Sequence, residues 1–566
     1  MSARLLLDNF DLIATSPGGI AKLKETILTL AMQGRLVPQD KSDEPAAILL
    51  ERIRSEKQQL IAQGKLKKEK PLPLITAEEQ PYDLPTGWEW VRLGEIANIK
   101  SSKRIYEHDY ISRGIPFFRS KEIGELSRGE DNETEIYISE EKYEHIRKNF
   151  GVPQKGDLFL TSVGSIGNTW ISDGRRFYYK DGNITQITKH DNIDNQYIQK
   201  FIQSAEFQKQ IFETVSGTAY NALTIIKINN LVIPLPPLAE QHRIVAKIEE
   251  LFAACDDLAT EYNRQQNRRQ AYSISALHHL ADAQAETFAQ YRDQVLAGLA
   301  TILATPADVK QLRQTILTLA MQGRLVPQEE SDEPAAILLE RIKSEKQQLI
   351  AQGKLKKEKP LPPITGEEQP YDLPMGWEWV RLGEIGDWGA GATPSRDNVD
   401  YYDGDIPWLK TGELTDSYIE DSEETISDLA LQECSLRLNS PGDVLIAMYG
   451  ATIGKLGLLR IHATTNQACC ACTPFPGVFN WYLFYYLLKE REGFRSLGAG
   501  GAQPNISKQK LTAHTFPIPP LVEQHRIVAK IEELFAVCDE LEVALARSAD
   551  RQAGLTASIL HAVSSL

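Results

Sequence analysis

The chain contains PPLAEQHRIVAKIEELFAACDDL at Pro236–Leu258 and PPLVEQHRIVAKIEELFAVCDEL at Pro519–Leu541. Twenty of the twenty-three aligned positions are identical. The proline pair that opens each copy can neither continue a strand ladder nor lie inside a helix, so a new element begins there. The duplication predicts that the chain is organised around two equivalent helices.

Apolar residues recur in each copy at alternating spacings of four and three, which is typical of the seam of a coiled coil. The matching seams predict two long helices packed on each other. The positions that we assign to the spacer and to partner contacts on these helices are Ile244, Ile248 and Leu251 in the first copy and Ile527, Ile531 and Leu534 in the second.

A longer duplication surrounds the helices. Frame 1 (residues 23–96) aligns with frame 2 (312–385) at a constant offset of 289, with 66 of 74 positions identical. Frame 1 predicts two short helices, at 23–37 and 46–62, with a C-terminal glycine stop at Gly34. Head 1 (roughly 97–235) and head 2 (roughly 386–518) separate each frame from its helix and share only scattered short motifs. This period is far too long for a solenoid repeat. We therefore expect a pseudo-two-fold molecule in which one kind of frame holds two different heads.

The order of the segments also predicts where the chain ends lie. The second long helix closes the chain, and frame 1 opens it. Bringing these two segments together would give them the relation that the first helix has to frame 2. The sequence therefore favours a circular arrangement of the repeat, with the chain ends close in space.

Each head has the pattern of a mixed α/β domain. Frames 1 and 2 end in LPxGWEWVRLGEI, which predicts a first strand. Helical stretches at 195–212 and 480–495 each precede a polar Gly/Asn loop and a closing strand. Further strand-like runs bounded by Gly and Pro lie at 115–120, 156–164, 406–412 and 442–450.

Composition limits the class of protein. A chain of 566 residues exceeds one hydrophobic core, and no apolar run approaches the ~20 residues of a membrane span. Six cysteines in this length predict no disulfide framework, which favours a reducing cytoplasm. The net charge of −15 argues against a generic nucleic-acid coat but leaves room for local positive charge. Residues 91–230 carry 19 Lys/Arg against 19 Asp/Glu, and residues 380–516 carry 11 against 17.

Several motifs resemble those of the specificity (S) subunits of type I restriction–modification systems. The resemblance rests on the PPLxEQHRIVAKIEELF helices after each head and on LPxGWEWVRLGEI before each head. Inside the heads it rests on GDLFLTSVGSIG (Gly156–Gly167), GDVLIAMYGATIG (Gly442–Gly454) and GATPSR (Gly391–Arg396). It covers essentially the whole chain.

The resemblance implies an α+β fold in which two mixed α/β target-recognition domains are separated by two long antiparallel coiled-coil helices, with a circular pseudo-two-fold repeat. Each target-recognition domain would read one half of a split DNA sequence, and the helices would dock two copies of the modification subunit. The expected domains are an N-terminal helical frame (1–81), target-recognition domain 1 (82–237), a central long helix (238–300), the frame repeat (301–370), target-recognition domain 2 (371–520) and a C-terminal long helix (521–566).

Candidate DNA-binding residues lie on two kinds of loop and at nearby cations. The glycine turns lie within Gly156–Gly167 and Gly442–Gly454, and the polar Gly/Asn loops are Ser216–Thr224 and Gly498–Ser507. Glycine turns let backbone N–H groups approach phosphate, and Asn or Gln suits the paired donor and acceptor of adenine. The candidates in head 1 are Arg119, Lys121, Ser162, Gly164, Ser165, Asn168 and Asn221. The candidates in head 2 are Thr393, Ser395, Arg396, Lys410, Thr411, Tyr449, Gly450, Thr452, Lys455, Gln503 and Asn505.

Each signal has a structural alternative. A glycine turn is also an ordinary tight hairpin, Asn and Gly also suit turns, and a lone cation is more often a solvated surface residue. Gly450–Lys455 lacks the spacing and the Ser/Thr of a nucleotide-binding loop. Cys469, Cys470 and Cys472 favour a buried strand over a metal site, because no second spaced pair accompanies them.

The sequence offers no catalytic residue. It contains no Asn-Pro-Pro-aromatic motif for amino-methyl transfer, no glycine-rich loop for S-adenosylmethionine and no phosphate-binding loop for ATP. We expect no cofactor on this chain, with S-adenosylmethionine, ATP and Mg on partner subunits. The expected partners are double-stranded DNA, two modification subunits and the restriction subunits, in a prokaryotic cytoplasm and without a membrane. A coiled-coil scaffold joining two protein-binding domains and a diverged methyltransferase remain the alternatives.

Overall fold

The computed structural model describes residues 5–6, 8–64, 70–131, 133–215, 222–357, 359–498 and 505–565. The chain forms two compact units. Unit 1 comprises Met1–Gln265 together with Ala549–Leu566, and unit 2 comprises Gln266–Ser548. Each unit therefore contains one frame, one head and parts of both long helices.

Unit 1 is a mixed α/β body. Its helices are α1 (Phe10–Thr15), α2 (Gly19–Met32), α3 (Ala46–Ala62), α4 (Leu93–Ile96), α5 (Ser120–Ser127), α6 (Glu140–Asn149), α7 (Asn195–Ile202), α8 (Ala205–Val215), α9 (Ile225–Asn230) and the 45-residue α10 (Leu238–Asp282), whose last 17 residues belong to unit 2. Its strands are β1 (Glu89–Arg92), β2 (Ile99–Lys100), β3 (Ile115–Phe118), β4 (Tyr137–Ile138), β5 (Leu158–Thr161), β6 (Thr169–Ile171), β7 (Tyr178–Tyr179), β8 (Ile184–Ile187) and β9 (Val232–Leu235).

Unit 2 repeats this plan with longer strands in its head. Its further helices are α11 (Ala285–Ala297), α12 (Leu299–Ile302), α13 (Pro306–Met321), α14 (Ala335–Ala351), α15 (Asp428–Glu433), α16 (Asn480–Lys489), α17 (Arg491–Gly498), α18 (Lys508–Thr512) and the 45-residue α19 (Leu521–Ser565), whose end belongs to unit 1. Its strands are β10 (Glu378–Arg381), β11 (Gly386–Ala390), β12 (Tyr402–Leu409), β13 (Ser417–Ile419), β14 (Thr425–Ile426), β15 (Val444–Ala447), β16 (Leu456–Leu459), β17 (Thr464–Thr465), β18 (Cys469–Pro474) and β19 (Thr515–Ile518).

Each head leaves its frame and returns to it through a two-stranded antiparallel sheet. Strand β1 pairs with β9, and β10 pairs with β19 in the same register. Between these strands, head 1 contains sheets of order β2-β8-β5-β6 and β4-β3-β7. Head 2 contains sheets of order β11-β18-β15-β16-β13 and β14-β12-β17. The mixed α/β character predicted for both heads is confirmed.

The predicted frame helices are present with adjusted ends. Helix α3 has the predicted bounds, whereas α2 begins four residues before the predicted start and ends at Met32. Gly34 ends α2 as predicted, because its φ of 68° is in the left-handed region that favours glycine. The Arg35 N–H closes the turn by donating to the Leu30 carbonyl at 2.8 Å. The helical stretch predicted at 195–212 forms two helices, α7 and α8, which break around Ser204.

The glutamate of EQHR joins the long helix to the frame. The Trp88 indole N–H donates to Glu240 at 2.9 Å, and the Gln39 side chain donates to the same carboxylate at 3.1 Å. Burial raises the pKa of Glu240. In unit 2 the same bonds are made by Trp377 at 3.0 Å and Gln328 at 3.1 Å to Glu523. The repeated glutamate is therefore a buried acceptor for two frame side chains.

The next residues of EQHR extend this joint. The Gln241 side chain accepts the Asp194 N–H of head 1 at 3.0 Å, and Arg243 pairs with Asp43 of frame 1 at 2.6 Å. In unit 2, Gln524 accepts the Phe479 N–H at 2.7 Å, and Arg526 pairs with Asp332. The motif thus ties head, frame and long helix together, which accounts for its near-identity in the two copies.

The first seam positions are buried inside their own unit. Ile244 and Ile248 are fully buried in a core that includes Ile27 of α2 and Phe201 of α7. Leu560, near the end of α19, joins the same core. Ile527 and Ile531 are likewise fully buried among residues of frame 2 and head 2. The frame and the head are therefore neighbours of the seam, which the apolar spacing alone does not predict.

The end of the chain lies against frame 1. The Arg35 guanidinium donates to the Ser564 carbonyl at 2.9 Å and to the Val563 carbonyl at 3.3 Å. Its repeat equivalent, Arg324, donates to the carbonyl of Ala283, just beyond the end of α10. One arginine of each frame thus binds a carbonyl at the C-terminal end of a long helix.

Among the described residues, no helix combines the length and the apolar character that a membrane span requires.

Candidate nucleic-acid interface

The glycine turn of head 1 connects β5 and β6, as predicted. Gly164 has a φ of 78°, is exposed and has open space where a Cβ would lie. Ser165 is also exposed, and its carbonyl accepts the Thr161 hydroxyl. Ser162 differs from these two residues, because it is buried with its hydroxyl 2.8 Å from that of Thr185. Of these three candidates, only Gly164 and Ser165 can meet a ligand without rearrangement.

The other candidates of head 1 lie beside this turn and have partners within the head. The Asn168 side chain donates to the Ser165 carbonyl at 3.4 Å. Arg119 immediately precedes α5 and pairs with Glu122 at 2.8 Å. Lys121 lies 4.0 Å from Glu125, with 60% of its side chain exposed. Both cations are therefore balanced by a carboxylate on the same helix.

The glycine turn of head 1 also contacts the segment before the closing strand. Val163 and Ala222 form an isolated antiparallel bridge. The Leu223 N–H donates to the Ser162 carbonyl at 2.9 Å. Asn221, the candidate adjacent to this bridge, lies outside the described residues. Residues 222–223, at the described end of the polar Gly/Asn loop, thus contact the glycine turn in head 1.

Head 2 has the corresponding arrangement. Its glycine turn connects β15 and β16, and Gly450 has a φ of 64°, is exposed and has no neighbour within 4 Å of a built Cβ. Tyr449 forms an antiparallel bridge with Asn505, and the Ile506 N–H donates to the Met448 carbonyl at 2.9 Å. The Thr452 hydroxyl donates back to the Tyr449 carbonyl at 2.9 Å. Gln503 lies outside the described residues.

Two arginines that are not among the predicted candidates hold this turn. Arg491 donates through Nε to the Gly454 carbonyl at 2.8 Å, and Arg495 donates through Nε to the Ile453 carbonyl at 3.3 Å. They lie four residues apart on α17, so they share a helix face. That spacing was visible in the sequence, but nothing local identified the turn that it faces. Lys455 follows these glycine-turn residues, and its N–H donates to the Thr452 carbonyl at 2.9 Å.

The remaining candidates of head 2 form a second group around Glu424. Arg396 pairs with Glu424 at 2.6 Å and lies over the Tyr402 ring at 4.3 Å. Lys410 pairs with the same carboxylate at 2.7 Å. Hydrogen bonds from Lys410 and then Arg396 lower the pKa of Glu424. The Thr393 hydroxyl bonds to Gln467. Ser395 and Thr411 belong to the loops that carry Arg396 and Lys410.

These pairings reduce the positive potential of both heads. Four candidate cations, Arg119, Lys121, Arg396 and Lys410, each lie within 4.0 Å of a glutamate. A phosphate would compete with that carboxylate for the cation. Non-specific affinity for DNA comes mainly from phosphate neutralisation. The glutamates therefore weaken the contribution of these four candidate cations to non-specific affinity.

The three clustered cysteines lie on strand β18, as predicted. Cys469, Cys470 and Cys472 are fully buried, and burial raises the pKa of the Cys470 thiol to about 12. Within the described ranges, no group of three or more His, Cys, Asp or Glu side chains is placed to hold a metal ion. Their common property is burial in the core of head 2.

Comparison with known proteins relates both units to one family. Residues 85–266 and 374–547 match the type I restriction modification DNA specificity domain. The chain belongs to the type I specificity subunits. The EcoAI and EcoEI type I restriction enzyme specificity subunits of Escherichia coli are each 32% identical to it, over 96% of this chain and 94% of theirs. A solved chain from work on complex assembly and conformational transition of a type I R-M system is 21% identical, with a TM-score of 0.49, over 86% of this chain and 99% of that one.

Membership of this family bears on the question of catalysis. A specificity subunit is non-catalytic, and other subunits of the type I system carry out methylation and restriction. The prediction that this chain is not itself an enzyme is confirmed. Each matched segment contains one head and the first turns of one long helix.

Proposed function

We propose that this specificity subunit recognises a bipartite, asymmetric DNA sequence, with each head reading one half. The observation that carries the proposal is that two heads of different sequence are mounted on joints with the same contacts. Each head also presents an exposed glycine turn bridged to the segment before its closing strand. The target-recognition domains would be 82–237 and 371–520, and the candidates named above would supply the DNA contacts.

The long helices would act as the spacer between the heads and as docking surfaces for two copies of the modification subunit. Heads separated by a fixed antiparallel coiled coil would reach half-sites about one helical turn, roughly 10 bp, apart. The near-identity of the two helix starts supports docking of the same partner twice. Restriction subunits would join through that complex, in the cytoplasm of a prokaryote.

A circular, pseudo-two-fold arrangement would give both helices equivalent surroundings. It is supported by Arg35 and Arg324, equivalent frame residues that each donate to carbonyls at the end of a long helix. The helix bound by Arg35 is the last of the chain, and the helix bound by Arg324 precedes frame 2. The chain ends would thus complete the second repeat.

Tight DNA binding would require the partner subunits. Head 1 has no net charge over 91–230, head 2 is acidic over 380–516, and four candidate cations are paired internally. The modification subunits would add the phosphate contacts and would carry S-adenosylmethionine, with ATP and Mg used elsewhere in the complex. If the isolated chain bound its target at full strength in physiological salt, this part of the proposal would be wrong.

Mapping methylated adenines in cells that carry the intact operon tests the proposal. The expected result is one bipartite sequence. Exchange of head 2 for that of a relative should change one half of the sequence and leave the other half unchanged. A scaffold without DNA contacts predicts no change on exchange. A diverged methyltransferase predicts that the purified chain binds S-adenosylmethionine by itself.

A further inference from the structure

The two glycine turns have the same backbone contacts but carry different side chains. In head 1 the bridge pairs Val163 with Ala222, and in head 2 it pairs Tyr449 with Asn505. The neighbouring backbone bond, from the N–H after the second bridge residue to the carbonyl before the first, is 2.9 Å in both heads. The side chains on this bridge differ between the heads.

The segment that follows each bridge also repeats. The Lys227 N–H donates to the Thr224 hydroxyl at 3.3 Å, which caps α9. The Lys510 N–H donates to the Ser507 hydroxyl at 3.2 Å, which caps α18. The backbone on both sides of the bridge is therefore held in the same way in each head. At this position the heads therefore differ in the side chains that a shared backbone presents.

The bridge residues are accessible at the glycine turn. Tyr449 is 43% exposed and Asn505 is exposed, whereas Val163 and Ala222 are half-buried. Residues directly opposite each other in an antiparallel pair have their Cβ atoms about 5 Å apart and their side chains on one face. Each bridge thus presents one small surface of two side chains, beside an exposed glycine that lets another molecule approach.

The chemistry of the two surfaces is different. Val163 and Ala222 offer only methyl groups, and the apolar feature of the DNA major groove is the thymine C5-methyl. Asn505 offers an amide donor and acceptor, which match N7 and N6 of adenine, and the Tyr449 ring flanks it. The candidate cations Arg119, Arg396 and Lys410 are instead held by glutamates.

We propose that this bridge is the base-reading pair of each head: Val163 and Ala222 contact a thymine methyl in the first half-site, and Tyr449 and Asn505 contact an adenine in the second. This inference rests on the proposed function and assigns residues within it. Phosphate contacts fix the register of a protein on DNA, and base-edge contacts carry the sequence. The shared backbone would serve the first task, and the bridge side chains would serve the second.

The test uses the complex purified from cells that carry the intact operon. The unchanged complex is compared with complexes in which this subunit carries Asn505→Ala, Asn505→Asp or Val163→Thr. Binding of the purified complex is measured against targets in which each base pair of both half-sites is changed in turn. Asn505→Ala should reduce discrimination at one adenine of the second half-site by roughly 5- to 150-fold, the usual range for a bidentate contact. Val163→Thr should weaken preference for a thymine in the first half-site only. Gln509→Ala, an exposed residue four positions beyond Asn505, is the matched control and should change nothing.

Three outcomes would overturn the inference. Unchanged base preference for Asn505→Ala and Asn505→Asp would remove the assigned role of Asn505. Uniform loss of binding across all targets would make Asn505 a positioning residue. Altered base preference in the first half-site for an Asn505 variant would contradict the assignment of Asn505 to the second half-site. In each case the proposed function would survive if exchange of the whole head still changed half of the methylated sequence, so the two failures are distinguishable. Co-purification of the variants with the modification subunit verifies that they are folded.

Discussion

Arg92 and Arg381 occupy equivalent positions in the two frames and make the same bonds. Each arginine is buried and forms two hydrogen bonds to one glutamate, which is Glu79 in frame 1 and Glu368 in frame 2. Each also donates to two carbonyls of the proline-rich segment of its frame and to one carbonyl just before the closing strand of its head. The glycine turns differ from this arrangement, because there the backbone bonds repeat and the side chains do not. The joint, which here includes these arginines as well as the EQHR contacts, has the same residues and the same bonds in both units. The glycine turns share only their backbone bonds.

The difference indicates which parts of the chain face a shared task. A joint that must hold any head needs the same buried donors and acceptors in both units, since an unsatisfied buried group is destabilising. An exposed turn is free of that requirement once its backbone is bonded. Variation between the heads is therefore tolerated at the turn and restricted at the joint.

The largest expected effect is on assembly, from Leu251→Glu or Leu534→Glu. Both leucines are half-buried against the core of their own unit, so a glutamate there loses an apolar contact and is partly desolvated, which should destabilise that unit by about 2–3 kcal/mol. Size-exclusion chromatography with the modification subunit should detect loss of the complex before any change in the bases recognised. The neighbouring exposed Glu250→Ala is the control. Retained activity with altered specificity would contradict the structural role of these leucines.

Arg92→Ala and Arg381→Ala should each destabilise the corresponding unit by about 2–3 kcal/mol, because several carbonyl groups lose their donor. Urea unfolding measured by tryptophan fluorescence would give the two values. The exposed pair Arg54–Glu95 offers a comparison, and Arg54→Ala should change stability by less than about 0.5 kcal/mol. A large difference between Arg92→Ala and Arg381→Ala would contradict the equivalence of the joints.

Arg491→Ala should have a smaller effect that is confined to head 2. Loss of its bond to the Gly454 carbonyl should destabilise the glycine turn by about 1 kcal/mol. Discrimination in the second half-site should decrease while the first half-site is read as before. The exposed Arg460→Ala, elsewhere on head 2, serves as the control. Equal losses in both half-sites would contradict a local effect of Arg491.

The smallest expected effect concerns pH. Burial raises the pKa of Glu240 in the folded chain above its ordinary 4.5, so the folded state binds that proton more tightly and unit 1 loses stability as pH rises through the folded value. The hydrogen bond from Arg92 lowers the pKa of Glu79, which contributes stability above 4.5 that is lost as pH falls. Glu240→Gln should flatten the first trend and leave the second unchanged. Urea midpoints from low pH to about pH 8 would measure both, and an unaltered slope would contradict the assignment to Glu240.

The periodicity of apolar residues and the positions of glycine and proline predicted much of this fold. The glycine stop at Gly34, the strands on both sides of each glycine turn and the buried cysteine strand follow from local residue patterns. The neighbours of Ile244 and Ile248 do not, because an apolar stripe states that a helix face is covered but not which element covers it. The support of the head 2 turn by Arg491 and Arg495 was missed for the same reason. Both features depend on contacts between segments that are distant in the sequence.

The contact between Arg35 and Ser564 has a consequence for synthesis of the chain. The core of unit 1 includes Leu560, and Val563 is fully buried, although most of that unit lies before residue 266. Domains that emerge first from the ribosome usually fold first. Here unit 2 has all of its residues once Ser548 has been added, whereas unit 1 must wait for the final turns of α19. The half that is translated first is therefore the half that is completed last.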